Sequence, residues 1–134
     1  MRIAFPAPQP MAGIVPFINR YDIGLCFFKP VTFNLRHVLP NKFFEYVQAR
    51  LAILSGPSPE MAAIIRRYDC GVVTDDFSQA ALAGALAGMD RQKVEHYKRQ
   101  SHLAARELSS AANRQRLLAI ARELTGGGTA AKRQ

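Results

Sequence analysis

Leu39-Pro40-Asn41-Lys42-Phe43-Phe44-Glu45-Tyr46 is followed by the apolar run Leu51-Ala52-Ile53-Leu54 and the turn Ser55-Gly56-Pro57-Ser58-Pro59-Glu60. In that order the segments spell helix, strand, turn and the start of a second helix. Pro40 suits a first helical turn, because the N–H it lacks would have had no partner there. From Pro40 to about Arg50 the pattern predicts Phe43, Phe44 and Val47 facing inward, with Lys42, Glu45 and Gln48 elsewhere on the helix surface. Ser58-Pro59-Glu60 reads as a helix start, with Ser58 as cap and Pro59 at the first helical position. A strand bracketed by helices is the unit from which parallel α/β sheets are built.

The alternation extends in both directions. Arg2–Phe5 reads as a first strand, and Met11–Arg20 as a helical stretch with Ile14, Val15 and Ile18 on one face despite Gly13 and Pro16. Ile23–Phe28 is an almost uninterrupted apolar strand, as expected where helices cover both faces of a sheet. Lys29–Leu39 is polar and reads as irregular. The helix after Ser58 carries Met61, Ile64, Ile65 and Tyr68 as its inward stripe, Gly71 as its stop, and Cys70–Thr74 as the strand that follows. Asp75-Asp76-Phe77-Ser78 caps a helix with Leu82, Leu86 and Met89. From Asp90 two long helices run without a strand between them, striped by Val94, Tyr97, Ala104 and Leu108 and then by Leu117, Ala121 and Leu124. The expected fold is α/β, a parallel sheet of about four strands flanked by helices, with two long C-terminal helices. One domain occupies residues 1–125, and residues 126–134, after Thr125-Gly126-Gly127-Gly128, are expected to form a disordered tail.

Composition agrees with a folded domain: of 134 residues 49% are hydrophobic and 21% charged. No apolar run approaches the ~20 residues that cross a bilayer, and Pro6, Pro8 and Pro10 cut short the first apolar stretch, unlike a secretory signal. Cys26 and Cys70 lie in apolar strand-like runs without ligand spacing, and read as buried reduced thiols. The net charge of +8 is uneven: residues 91–134 hold ten Lys/Arg against Glu95, Glu107 and Glu123, so that +7 lies there and +1 in residues 1–90. Such an excess attracts anionic lipid, nucleic acid or an acidic neighbour; the plainer reading is two amphipathic helices with solvated faces. Nucleic acid is disfavoured, since Tyr97 is the one aromatic among the basic residues and no DNA-reading motif is visible. His96 and His102 are assigned no role, Asp75-Asp76 reads as helix-capping acid rather than a metal pair, and no Ser, Cys or His constellation points to nucleophilic catalysis.

Tyr21-Asp22-Ile23-Gly24-Leu25, Pro40-Asn41-Lys42 with Glu45-Tyr46, Leu51–Leu54 with Ser58-Pro59-Glu60-Met61, and Cys70-Gly71-Val72-Val73 together resemble the C-terminal, donor-sugar domain of two-domain (GT-B) glycosyltransferases of the group 1 type, over nearly the whole chain. The resemblance implies a Rossmann-like fold that binds a nucleotide sugar for transfer to an acceptor, with no metal and no cofactor besides that substrate. It implies that Glu45 holds the ribose, with Lys42, His37 and Asn41 as further donor contacts; Asn34 and Arg36 have a weaker claim. The chemistry is coherent. Backbone N–H groups at a helix start can meet a diphosphate, a carboxylate can accept two ribose hydroxyls, and in open α/β sheets such a ligand lies at the carboxyl ends of the strands.

Three departures qualify the match. Many retaining members carry a partner glutamate ahead of this one, and that position is His37 here; relatives often have glycine where this chain has Arg50. The family's earlier strands, with their glycine-rich turn and basic phosphate-binding residues, and its acceptor domain have no counterpart in the sequence. The expectation is therefore an N-terminally truncated donor-binding portion, inactive in sugar transfer by itself, with an open sheet edge that favours self-association. Its expected location is cytoplasmic, peripheral at the inner membrane face through the basic C-terminal helices. For Glu45 the competing reading is a surface residue paired with Lys42, worth a few tenths of a kcal/mol. For the whole chain the alternative is a non-catalytic basic α/β module that binds an anionic membrane or nucleic acid through residues 91–124.

Overall fold

The computed structural model of the chain describes residues 4–126. Within them β1 (Ile23–Cys26), β2 (Ala52–Ser55) and β3 (Gly71–Val73) form a parallel sheet in the order β1-β2-β3. Gly24 of β1 is in register with Ile53 of β2, and Ile53 with Gly71 of β3. About four strands were expected and three are found. Of the expected strand Arg2–Phe5, Ala4 and Phe5 are irregular and exposed, and the rest lies outside the described residues. Pro6, Pro8 and Pro10 supply no N–H to a ladder, which accounts for the failure to continue as strand.

Seven helices accompany the strands: α1 (Met11–Ile18), α2 (Phe33–Arg36), α3 (Asn41–Gln48), α4 (Pro59–Tyr68), α5 (Gln79–Ala87), α6 (Arg91–Glu107) and α7 (Ser110–Gly126). The short α2 breaks a segment that reads as irregular. The Thr32 hydroxyl accepts the Leu35 N–H at 3.2 Å, so a local side-chain cap starts a turn that hydrophobic periodicity does not reveal. Pro40 is extended, with ψ 150, and stands just before α3 rather than inside its first turn. Pro59 does open α4, but the Ser58 hydroxyl makes no cap bond there. Ser78 and Asp90 cap α5 and α6 by accepting the Ala81 and Lys93 N–H groups at 3.0 and 2.8 Å. The helix α7 extends through Gly126, and the expected tail beyond it lies outside the described residues.

The core forms where α3, α4 and α6 meet the sheet. Phe43 and Val47 from α3, Met61 and Ile65 from α4, and Ala104 and Ala105 from α6 gather with Cys26, Ile53 and Cys70. Every residue of β2 is buried, and each large apolar side chain fully removed from water there contributes roughly 1.5–3 kcal/mol. Glycine serves close approach at two of these points. A Cβ at Gly24 would strike the Tyr46 ring, and one at Gly71 would strike the Ile53 carbonyl. Gly71 is thus the first residue of β3 and not the stop of α4. Burial pushes the thiols of Cys26 and Cys70 up to about 11, and both cysteines are free.

The helices α3 and α4 stop by the same device without glycine. Arg50 (φ 63) and Asp69 (φ 51) take the left-handed conformation. Leu51 N–H reaches back to Tyr46 O at 3.1 Å and Arg50 N–H to Val47 O at 3.0 Å, while Cys70 N–H bonds Ile65 O at 3.2 Å, the closing bonds of a helix with a left-handed cap. Each of these caps is then gripped by α6. Arg50 Nε donates to His102 Nδ1 at 3.0 Å, and His96 Nε2 meets Asp69 Oδ2 at 2.6 Å. Between them the buried Ser101 hydroxyl donates to Leu51 O at 2.6 Å. The two histidines without a sequence role therefore fasten α6 to the ends of α3 and α4. By contrast α7 leaves the body of the domain: from Asn113 to Thr125 every residue is exposed, so the expected inward stripe Leu117, Ala121 and Leu124 lies on the surface.

Candidate functional site

The eight residues of α3 present three faces. Phe43 and Val47 point into the core. Asn41, Phe44, Glu45 and Gln48, at helical spacing, line a groove of about 480 Å³. Lys42 and Tyr46 turn the other way, toward a second hollow of about 450 Å³ bounded by Phe17, Ile18 and Tyr21.

The first groove is closed by Met11 and Val15 of α1 on one side and by Leu108, Ser109 and Ser110 at the turn between α6 and α7 on the other. Met11, Asn41 and Ser110 are the first residues of α1, α3 and α7, so the starts of three helices border one space. Ser109 caps α7 by accepting the Ala112 N–H at 3.1 Å. Glu45 is half-buried and, among the described residues, is the sole charged one lining the groove. Among the described residues it has no hydrogen-bond or ion-pair partner. Gln48 spends its amide N–H groups on Ala105 O at 3.0 Å and Leu108 O at 3.5 Å, which fixes the α6–α7 turn beside the groove and leaves the Gln48 side-chain oxygen as an acceptor.

The four residues expected at a donor site are therefore divided. Asn41 and Glu45 share the groove. Lys42 does not pair with Glu45; its ammonium lies 5.6 Å from the centre of the Tyr46 ring. Hydrogen bonding with the Tyr46 side chain is the main influence holding that ammonium above its ordinary value, and Glu45 is the smallest of the attractions. His37 ends α2, packs at a tilt against Phe33 with ring centres 4.9 Å apart, and turns its Nδ1 to Glu60 Oε1 at 3.4 Å. Asn34 and Arg36 lie on α2 and line none of the hollows around α3. Sequence reasoning did not anticipate Gln48, Phe44 or the Ser109–Ser110 turn. The spacing 41, 44, 45, 48 is a signal for the α3 residues, whereas the approach of Ser109 depends on where α6 docks.

At the carboxyl end of the sheet the chain packs on itself beyond β2, and a hollow of about 310 Å³ lies beside the end of β3 between Val73, Thr74, Asp75 and Ala81 of α5. Phe77 lies against Gly56, where a Cβ would collide with its ring, and packs edge-on against Phe27 with centroids 5.4 Å apart. Thr74 and Asp76 are committed to local turns: the Thr74 hydroxyl donates to Asp76 O at 2.7 Å, and the Asp76 carboxylate accepts the Ser78 N–H at 2.7 Å. Hydrogen bonding from the Ser78 side chain, and after it from the Ser78 N–H, draws the Asp76 carboxyl below its ordinary value. Among the described residues no group of three or more His, Cys, Asp or Glu gathers in a way that could hold a metal ion. Comparison with known proteins finds no matching family model, curated protein or solved structure.

Proposed function

We propose that the groove along α3 binds the nucleotide part of a nucleotide-sugar donor, and that the chain is the donor-binding portion of a glycosyltransferase. The observation that carries this reading is Glu45: a half-buried carboxylate without a partner among the described residues, in a groove bordered by three helix starts. A carboxylate so placed accepts hydrogen bonds from vicinal ribose hydroxyls. The N–H groups of a helix start, with the positive end of its dipole, favour phosphate oxygens. Asn41 adds an amide donor, Gln48 an acceptor and Phe44 an apolar wall. A space of about 480 Å³ falls within the usual range for small-molecule sites. Since Lys42 faces away, helix dipoles and not side-chain cations meet the phosphate charge in this reading, which favours weak binding by the chain alone.

Calorimetric titration with uridine, guanosine and adenosine diphosphates and their hexose conjugates tests the reading. Glu45→Gln keeps the shape but removes the charge that strengthens hydroxyl hydrogen bonds, a contribution of roughly 1.5–3 kcal/mol. Affinity is expected to fall about tenfold or more, with thermal stability unchanged because Glu45 supports no other residue. Equal affinity in the Glu45→Gln protein, or no heat with any of these nucleotides, overturns it.

A further inference from the structure

The helix α7 is 17 residues long and leaves the domain after its capped first turn. From Asn113 to Thr125 none of its residues is buried, and Leu117, Leu118, Ile120 and Leu124 are between 50% and 77% exposed. A helix of this length is marginal in water without a surface to pack on. Among the described residues no helix is long and apolar enough to cross a membrane, so the alternative is a helix that lies on something.

The arrangement of charge identifies the surface. At 100° per residue, Ile120, Leu124, Leu117, Ala121 and Leu118 share one arc on a single side of the helix, in that order, with Asn113, Arg114 and Thr125 set among them. Arg116 flanks the arc beside Ile120, and Arg122 flanks it beyond Leu118. Gln115, Ala119 and Glu123 fall on the opposite side. A mainly apolar arc bordered on both edges by arginine is the pattern of a helix lying in the plane of a membrane interface: the leucines enter the acyl boundary and the guanidinium groups reach outward to phosphate. Arg114, within the arc's sector but in the first exposed turn, stands where the helix meets the domain. The three arginines of α7 outweigh its one acid, Glu123, so a second copy of this face would meet like charge. We infer that α7 is an interfacial anchor that binds anionic phospholipid, with Leu117, Ile120 and Leu124 as the inserted residues and Arg114, Arg116 and Arg122 as the phosphate contacts. The inference stands on α7 alone and is independent of donor binding at Glu45.

Sedimentation with vesicles of phosphatidylcholine alone, and of phosphatidylcholine mixed with phosphatidylglycerol, provides the test at low and high salt. The chain is expected to pellet with the mixed vesicles at low salt and to be released by salt. Replacing Arg114, Arg116 and Arg122 by Gln weakens partition by about fivefold per arginine. Replacing Leu117, Ile120 and Leu124 by Ser abolishes it at every salt concentration, while the cooperative melting of the domain is unchanged because these side chains touch nothing in the core. Absence of pelleting with anionic vesicles overturns the inference. So does pelleting that survives the three serines, or a lipid-free dimer that those serines dissolve, which would assign the face to a second copy.

Discussion

The helices α6 and α7 are each 17 residues long, adjacent in sequence and rich in Lys and Arg, yet the domain uses them in opposite ways. In α6, Ser101, Ala104 and Ala105 are buried, and several cations are engaged: Lys98 Nζ with Asp22 Oδ1 at 2.9 Å, Arg91 Nε with Glu95 Oε1 at 2.9 Å, and Lys93 Nζ with Gly88 O at 2.8 Å. In α7 the apolar residues are larger but exposed, and among the described residues its arginines make no ion pair. Small residues are what let α6 approach β2 closely, whereas the leucines of α7 have no facing groove. Volume and hydrogen bonding decide the difference: α7 has eight apolar and four charged residues against five and seven in α6, yet α6 completes the core and α7 projects from it.

The contrast is broken most severely by placing the same charge in both helices. Ala104→Asp buries a carboxylate among Phe43, Val47 and Ile65 and is expected to cost at least about 4 kcal/mol. Ala121→Asp is expected to shift stability by no more than about 0.5 kcal/mol. Urea unfolding of the two proteins decides it; comparable losses would mean that α7 packs as α6 does.

Alkaline titration reads the core to which α6 contributes. Burial raises both thiols from the ordinary 9.0 to about 11, so the folded state favours their protonated form. That stabilisation is complete below the unfolded value of 9.0 and is lost as pH rises to about 11. The loss is expected to be on the order of 2–4 kcal/mol for the two thiols together, and to be absent when both cysteines are replaced by Ala. Melting temperatures across that range measure it, with lysine and tyrosine titration common to both proteins.

A smaller effect isolates the clasp itself. Ser101→Ala leaves the buried Leu51 carbonyl without its 2.6 Å partner, a loss of about 1–3 kcal/mol. Hydrogen exchange is expected to show α6 opening before β2. Uniform protection in the variant would mean that packing by Ala104 and Ala105 holds α6 without this bond.

Much of the fold is legible in the sequence because β1, β2 and β3 are short apolar runs separated by helical periodicity, and because Ser78 and Asp90 are local caps whose partners lie three residues on. The failures are non-local. Ala4 and Phe5 have strand composition, but no described strand stands beside them to pair with. Gly71 looks like a helix stop because glycine serves that purpose in general; its real constraint is the Ile53 carbonyl pressed against it from the neighbouring strand. At the candidate site, Asn41 and Glu45 share a groove because both lie on one face of α3. Lys42 does not, since one residue of offset turns it about 100° around the helix toward Tyr46. His37 could not be placed from sequence, because its neighbour Glu60 belongs to the next strand–helix unit.

The left-handed caps at Arg50 and Asp69 tie distant parts of the chain together in descent as well as in space. Glycine would adopt either conformation with less strain but would bring no side chain to α6. Arg50 gains a bond to His102, and Asp69 a bond to His96. In a lineage that loses either histidine, the reason to tolerate a side chain at the matching cap goes with it, and drift toward glycine or asparagine becomes favourable. Positions 50 and 102, and positions 69 and 96, are thereby expected to vary as pairs across more than twenty-five residues of intervening chain, a signature that descendants of this sequence would carry even where their surface charge had changed entirely.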